Sequence, residues 1–358
     1  MKQIVSIVST QPKDHLNIGW ATSNICNFKC RYCFPGSNEG DAPNPKNVDL
    51  IVNNITHLIN HYRTTLDKKF FHLTVLGGEP TVWKDFGNFL EKIKLVDGVY
   101  VSILSNGSRT LRWWREYGGL IDNLTLSLHV SQADLDHSIQ VADIVYGLGK
   151  KVTVQVLMDT DCWDQCVEAI DYLKKNSRYP WMIETKPVVH STVEYTPIQT
   201  EYLKSSLKRY PTFTWLLKNI RYLFNGHIRL YRSIAKFNDG TKLKAKPSTY
   251  ILSGNTKFKG WSCDIGIESI LIDQYGNING SCGQTLFNTN ILDNNFISKF
   301  NPHLGATICN MDACICLPAT HASKFDFGQG NISRTSAEVP ITFDRIRRNQ
   351  KTSGIDIS

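Results

Sequence analysis

Three cysteines, Cys26, Cys30 and Cys33, stand within the eight residues Cys-Asn-Phe-Lys-Cys-Arg-Tyr-Cys, spaced by three and then two residues. Thiolates at this spacing can wrap one face of a compact iron-sulfur cluster and leave one metal position without a protein ligand. An open iron is where a substrate or cofactor binds. Structural zinc also uses closely spaced cysteines, but it wants a fourth ligand nearby, and the nearest histidine, His15, lies at the far end of the preceding strand pattern. Five more cysteines, Cys263, Cys282, Cys309, Cys314 and Cys316, crowd a loop-rich stretch downstream and suggest a second metal site, with a zinc knuckle as the alternative. Cys162 and Cys166 are four apart on a helical pattern, one face of which could hold a metal pair. Free cysteine more often behaves there as a small buried apolar residue.

The elements that must hold these groups follow from the apolar patterns. Residues 16–22, 70–76, 100–104, 123–128, 152–158 and 181–189 are short runs rich in β-branched or aromatic residues, bounded by Gly, Asn, Pro or charge, and read as strands. Between them lie helical patterns: Ile51, Ile55, Leu58, Ile59 and Tyr62 on one face, then residues 83–95, 132–148 and 162–175. Six strand-helix units in succession imply a parallel sheet with right-handed crossovers, an open or closed barrel with helices outside. Chemistry in such folds sits at the C-terminal strand ends. The first cysteine group follows the first strand directly.

The chain has 358 residues, enough for about two domains. With 41% hydrophobic and 20% charged residues, it is neither fibrous nor largely disordered. The expected organisation is a barrel over 1–195, a basic aromatic bridging segment over 196–260, a loop-rich cysteine domain over 261–325 and a polar tail over 326–358. The cysteine domain has too little apolar material for a core of its own, which fits a metal staple. No apolar run approaches the ~18 residues of a membrane span, and the stretch after Lys2 is too short for a signal-peptide core. The sequence thus predicts a cytoplasmic protein without membrane contact, whose thiols stay reduced and serve metal or catalysis.

The cysteine motif, with Tyr32 before its last cysteine, resembles the signature of the radical S-adenosylmethionine (radical SAM) enzymes. Gly77-Gly78-Glu79-Pro80, ending the second strand, looks like that family's GGEP segment, and Ser105-Asn106-Gly107, ending the third, is similar to its Asn-Gly turn. Ser127 and His129 end the fourth strand, where relatives contact SAM or substrate, although many carry Asp in place of His129. The resemblance implies an α/β fold, a partial (βα)6 TIM-like barrel with a small loop-rich iron-sulfur auxiliary domain at the C-terminus. It implies a four-iron, four-sulfur (4Fe-4S) cluster on Cys26, Cys30 and Cys33. SAM would be bound by Tyr32, Gly77, Gly78, Glu79, Pro80, Ser105, Asn106, Ser127 and His129. The glycines would let backbone approach a ligand closely, a carbonyl of this turn or the Glu79 carboxylate would accept hydrogen bonds from the methionyl ammonium, and the Asn-Gly turn would reach the ribose. The implied chemistry is reductive cleavage of SAM to a 5′-deoxyadenosyl radical that abstracts hydrogen from substrate, a step that belongs to the cofactor.

Cys263-x12-Gly276-x5-Cys282, followed by Cys309-x4-Cys314-x-Cys316, resembles the family's auxiliary-cluster extension, called twitch with one cluster and SPASM with two. Its usual opening has four residues after the glycine rather than five. Five cysteines are too few for two clusters, so one auxiliary 4Fe-4S cluster is expected, on Cys263, Cys282 and two of Cys309, Cys314 and Cys316.

Net charge is +8, yet residues 201–260 hold thirteen Lys or Arg against Glu201 and Asp239, with aromatics such as Tyr202, Trp215 and Phe237 interleaved. Such a segment could neutralise phosphates and stack bases, dock an acidic peptide, or be a solvated face. The expected substrate is a peptide or protein side chain, and then an anionic small molecule such as a nucleotide, or a nucleic acid. An electron donor such as flavodoxin or ferredoxin is implied. A noncatalytic iron-sulfur or zinc protein that binds nucleic acid is the reading from another class, and it has no need of a SAM pocket.

Overall fold

The computed structural model describes residues 3–34, 36–188, 193–208, 233–245, 249–250, 253–279, 285–300, 306–314 and 322–326. The expectations for Cys282, Cys316, nearly half of the basic segment and the tail beyond residue 326 lie outside the described residues. Those residues group into two compact units, one within Trp20–Val52 and His72–Leu230, the other within Met1–Gly19, Asn53–Phe71 and Tyr231–Ser358.

The first unit carries most of the parallel α/β sheet, whose first two strands also contribute residues to the second unit. Its strands run in the order β2 (His15–Ala21), β3 (Phe70–Leu76), β4 (Val99–Ser105), β5 (Asn123–Leu128), β6 (Lys151–Met158) and β7 (Met182–Pro187). Pairing is parallel from β4 through β7. All six expected strands are present, with ends moved by a residue or two. Alternation gives the sheet two faces. Leu73, Val75, Val101, Ile103, Leu124, Leu126, Leu128, Val154, Val156 and Met158 are fully buried. Between them, Thr74, Ser102, Leu104, Thr125, Ser127 and Gln155 are half-buried. Successive side chains must point to opposite faces, so an apolar face lies against the helices and a polar face points away from them.

Those helices are α2 (Phe86–Ile93), α3 (Leu111–Tyr117), α4 (Leu135–Gly147) and α5 (Trp163–Asn176). The short α3 was not among the expected helices. Helix α2 buries Phe86, Phe89, Leu90 and Ile93, one face at helical spacing. Phe86 stacks on Phe89 at 6.1 Å and on Trp113 at 6.0 Å, while Trp20 meets Phe89 edge-on at 5.1 Å. Helix α4 starts where the Asp134 carboxylate accepts from the His137 N–H at 3.0 Å, an N-cap.

The second unit is antiparallel. Strands β1 (Ile4–Ser9), β8 (Ser233–Phe237), β9 (Lys242–Ala245), β10 (Ser262–Cys263), β14 (Thr307–Ile308) and β15 (Lys324–Phe325) form a sheet ordered β14-β10-β15-β1-β8-β9. The antiparallel ribbon of β11 (Ser269–Ile272), β12 (Asn277–Asn279) and β13 (Thr285–Asn290) extends the other sheet, with β11 next to β2. β1 pairs with both β8 and β15, so its apolar run belongs with the C-terminal strands. β8 and β9 form a hairpin, with Gly240 at φ 81° in its turn. No helix among the described residues is long and apolar enough to cross a membrane.

Phe89 is wholly buried among three aromatic rings, so Phe89→Ala should lower unfolding free energy by about 3–5 kcal/mol, measured as the shift in the urea midpoint of the full chain at unchanged slope.

Candidate functional site

Between β2 and helix α1 (Val48–Leu66) the described chain has no helix or strand, and this stretch carries the first cysteine group. Its shape is imposed from outside. Gly78 N–H donates to Ser23 O at 2.9 Å and Glu79 N–H donates to Ile25 O at 2.8 Å, which clips the turn after β3 to the residues leading into Cys26. The approach is so close that a Cβ on Gly78 would lie 2.2 Å from Ile25 O, and one on Gly77 would lie 2.5 Å from Ser23 O. Gly77 also has φ 137°, which side chains disfavour. These glycines thus admit the backbone of the cysteine segment.

Glu79 is buried, and its carboxylate has four protein donors. Oε1 accepts from Thr81 N–H at 3.0 Å, Thr81 Oγ1 at 2.6 Å and Ser105 Oγ at 2.7 Å, and Oε2 accepts from Asn106 N–H at 2.6 Å. Burial raises its pKa while these donors pull it down. The carboxylate therefore brackets the turn after β3 to the turn after β4. Pro80 opens the short 3-10 turn Pro80–Val82 behind it. Asn106 accepts from Ser108 N–H at 3.0 Å and donates to Asn27 Oδ1 at 3.0 Å, reaching the loop beside Cys26.

On the other side of the loop, Tyr32 stacks on His129 at 5.6 Å, with its hydroxyl 2.8 Å from Nδ1. The same Nδ1 lies 3.2 Å from Cys30 Sγ. Burial lowers the His129 pKa to about 4, so the ring is neutral near pH 7 and its tautomer decides which neighbour it serves. Arg31 forms ion pairs with Asp159, just past β6, and with Asp161 at 2.6 Å. Burial raises the pKa of all three thiols. Cys30 is pushed up to about 12, by burial first and then by the charges of Cys33 and Cys26, against the hydrogen bond from Gln132. Three neighbouring thiols that repel as anions suit a multi-cation partner that takes their protons' place, so the donor set fits an iron-sulfur cluster.

Cys26, Cys30, Cys33, Tyr32, Glu79, Ser105, Asn106 and His129 are thus linked around one loop. Ser127 stands on the half-buried sheet face, in register with Gln155, whose Nε2 donates to Glu184 at 3.3 Å. Arg31, Gln132 and Asp159 were not foreseen. Their signal was positional, because Asp159 and Gln132 follow strand ends as His129 does. In the other unit, Cys263 on β10 is buried and pushed up to about 12, by burial first, with Lys324 lowering it and Cys314 raising it. Cys309 packs against the cluster containing Cys314. Cys162 and Cys166 sulfurs lie 3.8 Å apart, with Cys166 buried.

Glu79→Gln turns one carboxylate oxygen into an amino group facing donors. It should cost about 1.5–3 kcal/mol and speed hydrogen exchange at the Asn106 amide, read by denaturant titration and by exchange mass spectrometry.

Residues 20–189 match the family described as the Radical SAM superfamily. The chain is 33% identical over 100 residues to a GTP 3′,8-cyclase of Vibrio cholerae, a match covering 27% of this chain and 29% of that one. It is 28% identical over 137 residues to a GTP 3′,8-cyclase of Haemophilus influenzae, covering 36% and 39%. The matched segments therefore span well under half the length of these relatives. Among solved structures, anSMEcpe with bound AdoMet aligns at TM-score 0.50 and 13% identity over 80% of this chain and 81% of that one. Streptococcus suis SuiB bound to precursor peptide SuiA aligns at 0.45 and 16% over 79% and 63%. The match covers just under half of the chain and takes in the motif residues gathered at the strand ends of the parallel α/β sheet, so residues 20–189 carry a radical SAM domain.

Proposed function

We propose that the protein cleaves SAM reductively and abstracts hydrogen from a peptide or protein side chain. The observation that carries the cleavage reading is the convergence of the Cys26–Cys33 loop with the turns after β3, β4 and β5, through Glu79, Asn106 and His129. A 4Fe-4S cluster with bound SAM supplies the radical chemistry. The chain's own part is to hold Cys26, Cys30 and Cys33, to clip them to Gly78 and Glu79, and to keep Tyr32 and His129 packed beside Cys30. The half-buried polar face with Thr125, Ser127 and Gln155 is where a substrate would lie. A second 4Fe-4S cluster would take Cys263, Cys282 and two of Cys309, Cys314 and Cys316, and what supports it is that Cys314 lies near enough to the buried Cys263 to raise its pKa.

The peptide reading rests on the likeness of the downstream cysteines to the auxiliary extension, common in relatives that modify side chains. A nucleotide is the second reading, favoured by the GTP named for the sequence relatives and by the cationic excess of residues 201–260. Boundaries at 195, 260 and 325 belong to the same proposal, as do a ferredoxin or flavodoxin donor and a cytoplasmic location.

Anaerobic reconstitution should load about eight irons per chain, and about four when Cys26, Cys30 and Cys33 are all Ala. Reduced protein with SAM should release 5′-deoxyadenosine, and Cys30→Ala should abolish it. Zinc at both sites with no iron would contradict the reading. Mass changes in peptides but not in GTP, or the reverse, decide between the two substrates.

A further inference from the structure

The turn that follows β5 brings a second side chain to the cysteine loop. Gln132 and Ala133 N–H groups both donate to His129 O at 2.9 Å, which ties Gln132 to the end of the strand. Its carboxamide then spans two points of the loop. Oε1 accepts from the Lys29 backbone N–H at 2.8 Å, and Nε2 lies 3.3 Å from Cys30 Sγ. The orientation of the amide is determined by chemistry, since a backbone N–H can only donate. The atom facing Lys29 must therefore be the oxygen, and the one facing the sulfur must be the amino group.

We propose that Gln132 is a positioning residue that acts through Cys30, donating an N–H to the ligand sulfur and thereby setting the reduction potential of the cluster. The inference rests on the cluster assigned above to Cys26, Cys30 and Cys33. An N–H aimed at a thiolate sulfur withdraws negative charge from it, and this favours the cluster state that carries the extra electron. The potential is raised as a result, and a cellular donor reduces the cluster more readily. The tether to Lys29 and the bond to Cys30 are separable functions of one side chain. Glutamate at this position retains an oxygen for Lys29 N–H but presents an anionic acceptor to the sulfur.

The test is an EPR-monitored redox titration of the anaerobically reconstituted full chain. It follows the reduced-cluster signal that disappears when Cys26, Cys30 and Cys33 are all Ala. Gln132→Glu should retain its iron and make reduction of that cluster about tenfold less favourable, a downward shift of about 59 mV for a one-electron couple. Gln132→Met, which lacks the added charge, should shift it the same way by less. An unmoved midpoint in Gln132→Met, or in an iron-loaded Gln132→Glu, means that the residue only tethers the loop and overturns the inference. If the wild type has no signal that the three Ala substitutions remove, the cluster assignment itself fails, and the inference falls with it.

Discussion

The site depends on a close backbone approach. Between Ala21 and Val48 the chain that carries the cysteines forms no helix or strand among the described residues, so no repeating hydrogen-bond ladder holds it. What holds it is contact with the turns at the ends of the neighbouring strands, and the tightest of these is the seam of Gly77 and Gly78 against Ser23 and Ile25. Any side chain at Gly78 would displace the segment that leads into Cys26. The bracket of Glu79 over Ser105 and Asn106 then ties that seam to the next strand end. Rigid strands thereby lend their order to an irregular loop, and a binding loop on a scaffold needs that arrangement.

Electrostatics complete the arrangement. As free thiols, Cys26, Cys30 and Cys33 resist ionisation because they are partly buried and close to one another. Such a set stays protonated until a metal takes the protons' place, and so metal loading and proton release are linked. Arg31 is paired with Asp159 and Asp161, and His129 is neutral. The groups aimed at Cys30 sulfur are an amide and an imidazole, dipoles rather than ions.

The two compact units cut across chain order. β1 joins the C-terminal strands, and helix α1 and strands β2 and β3 each contribute residues to both units. A boundary drawn from composition cannot find this, because the edge of β1 is satisfied only by strands more than two hundred residues later. The same holds for Cys263, whose cross-strand neighbours Thr307 and Lys324 come from separate later segments.

The sequence by itself determined the parallel strands, the cysteine motif and the turns that face it. Alternating apolar residues, Gly-Gly and Asn-Gly are local signals, and each acts over a few residues. It also marked His129, through its place at a strand end. It could not say that Glu79 reaches Ser105 and Asn106, that Gly77 and Gly78 lie against Ser23 and Ile25, or that Gln132 reaches Cys30. Those are decided by distances between residues from tens to a hundred positions apart in the chain. Such distances exist only once the sheet has set its strand ends side by side, and the hydrogen bonds that close across them depend on tenths of an ångström that no spacing pattern encodes.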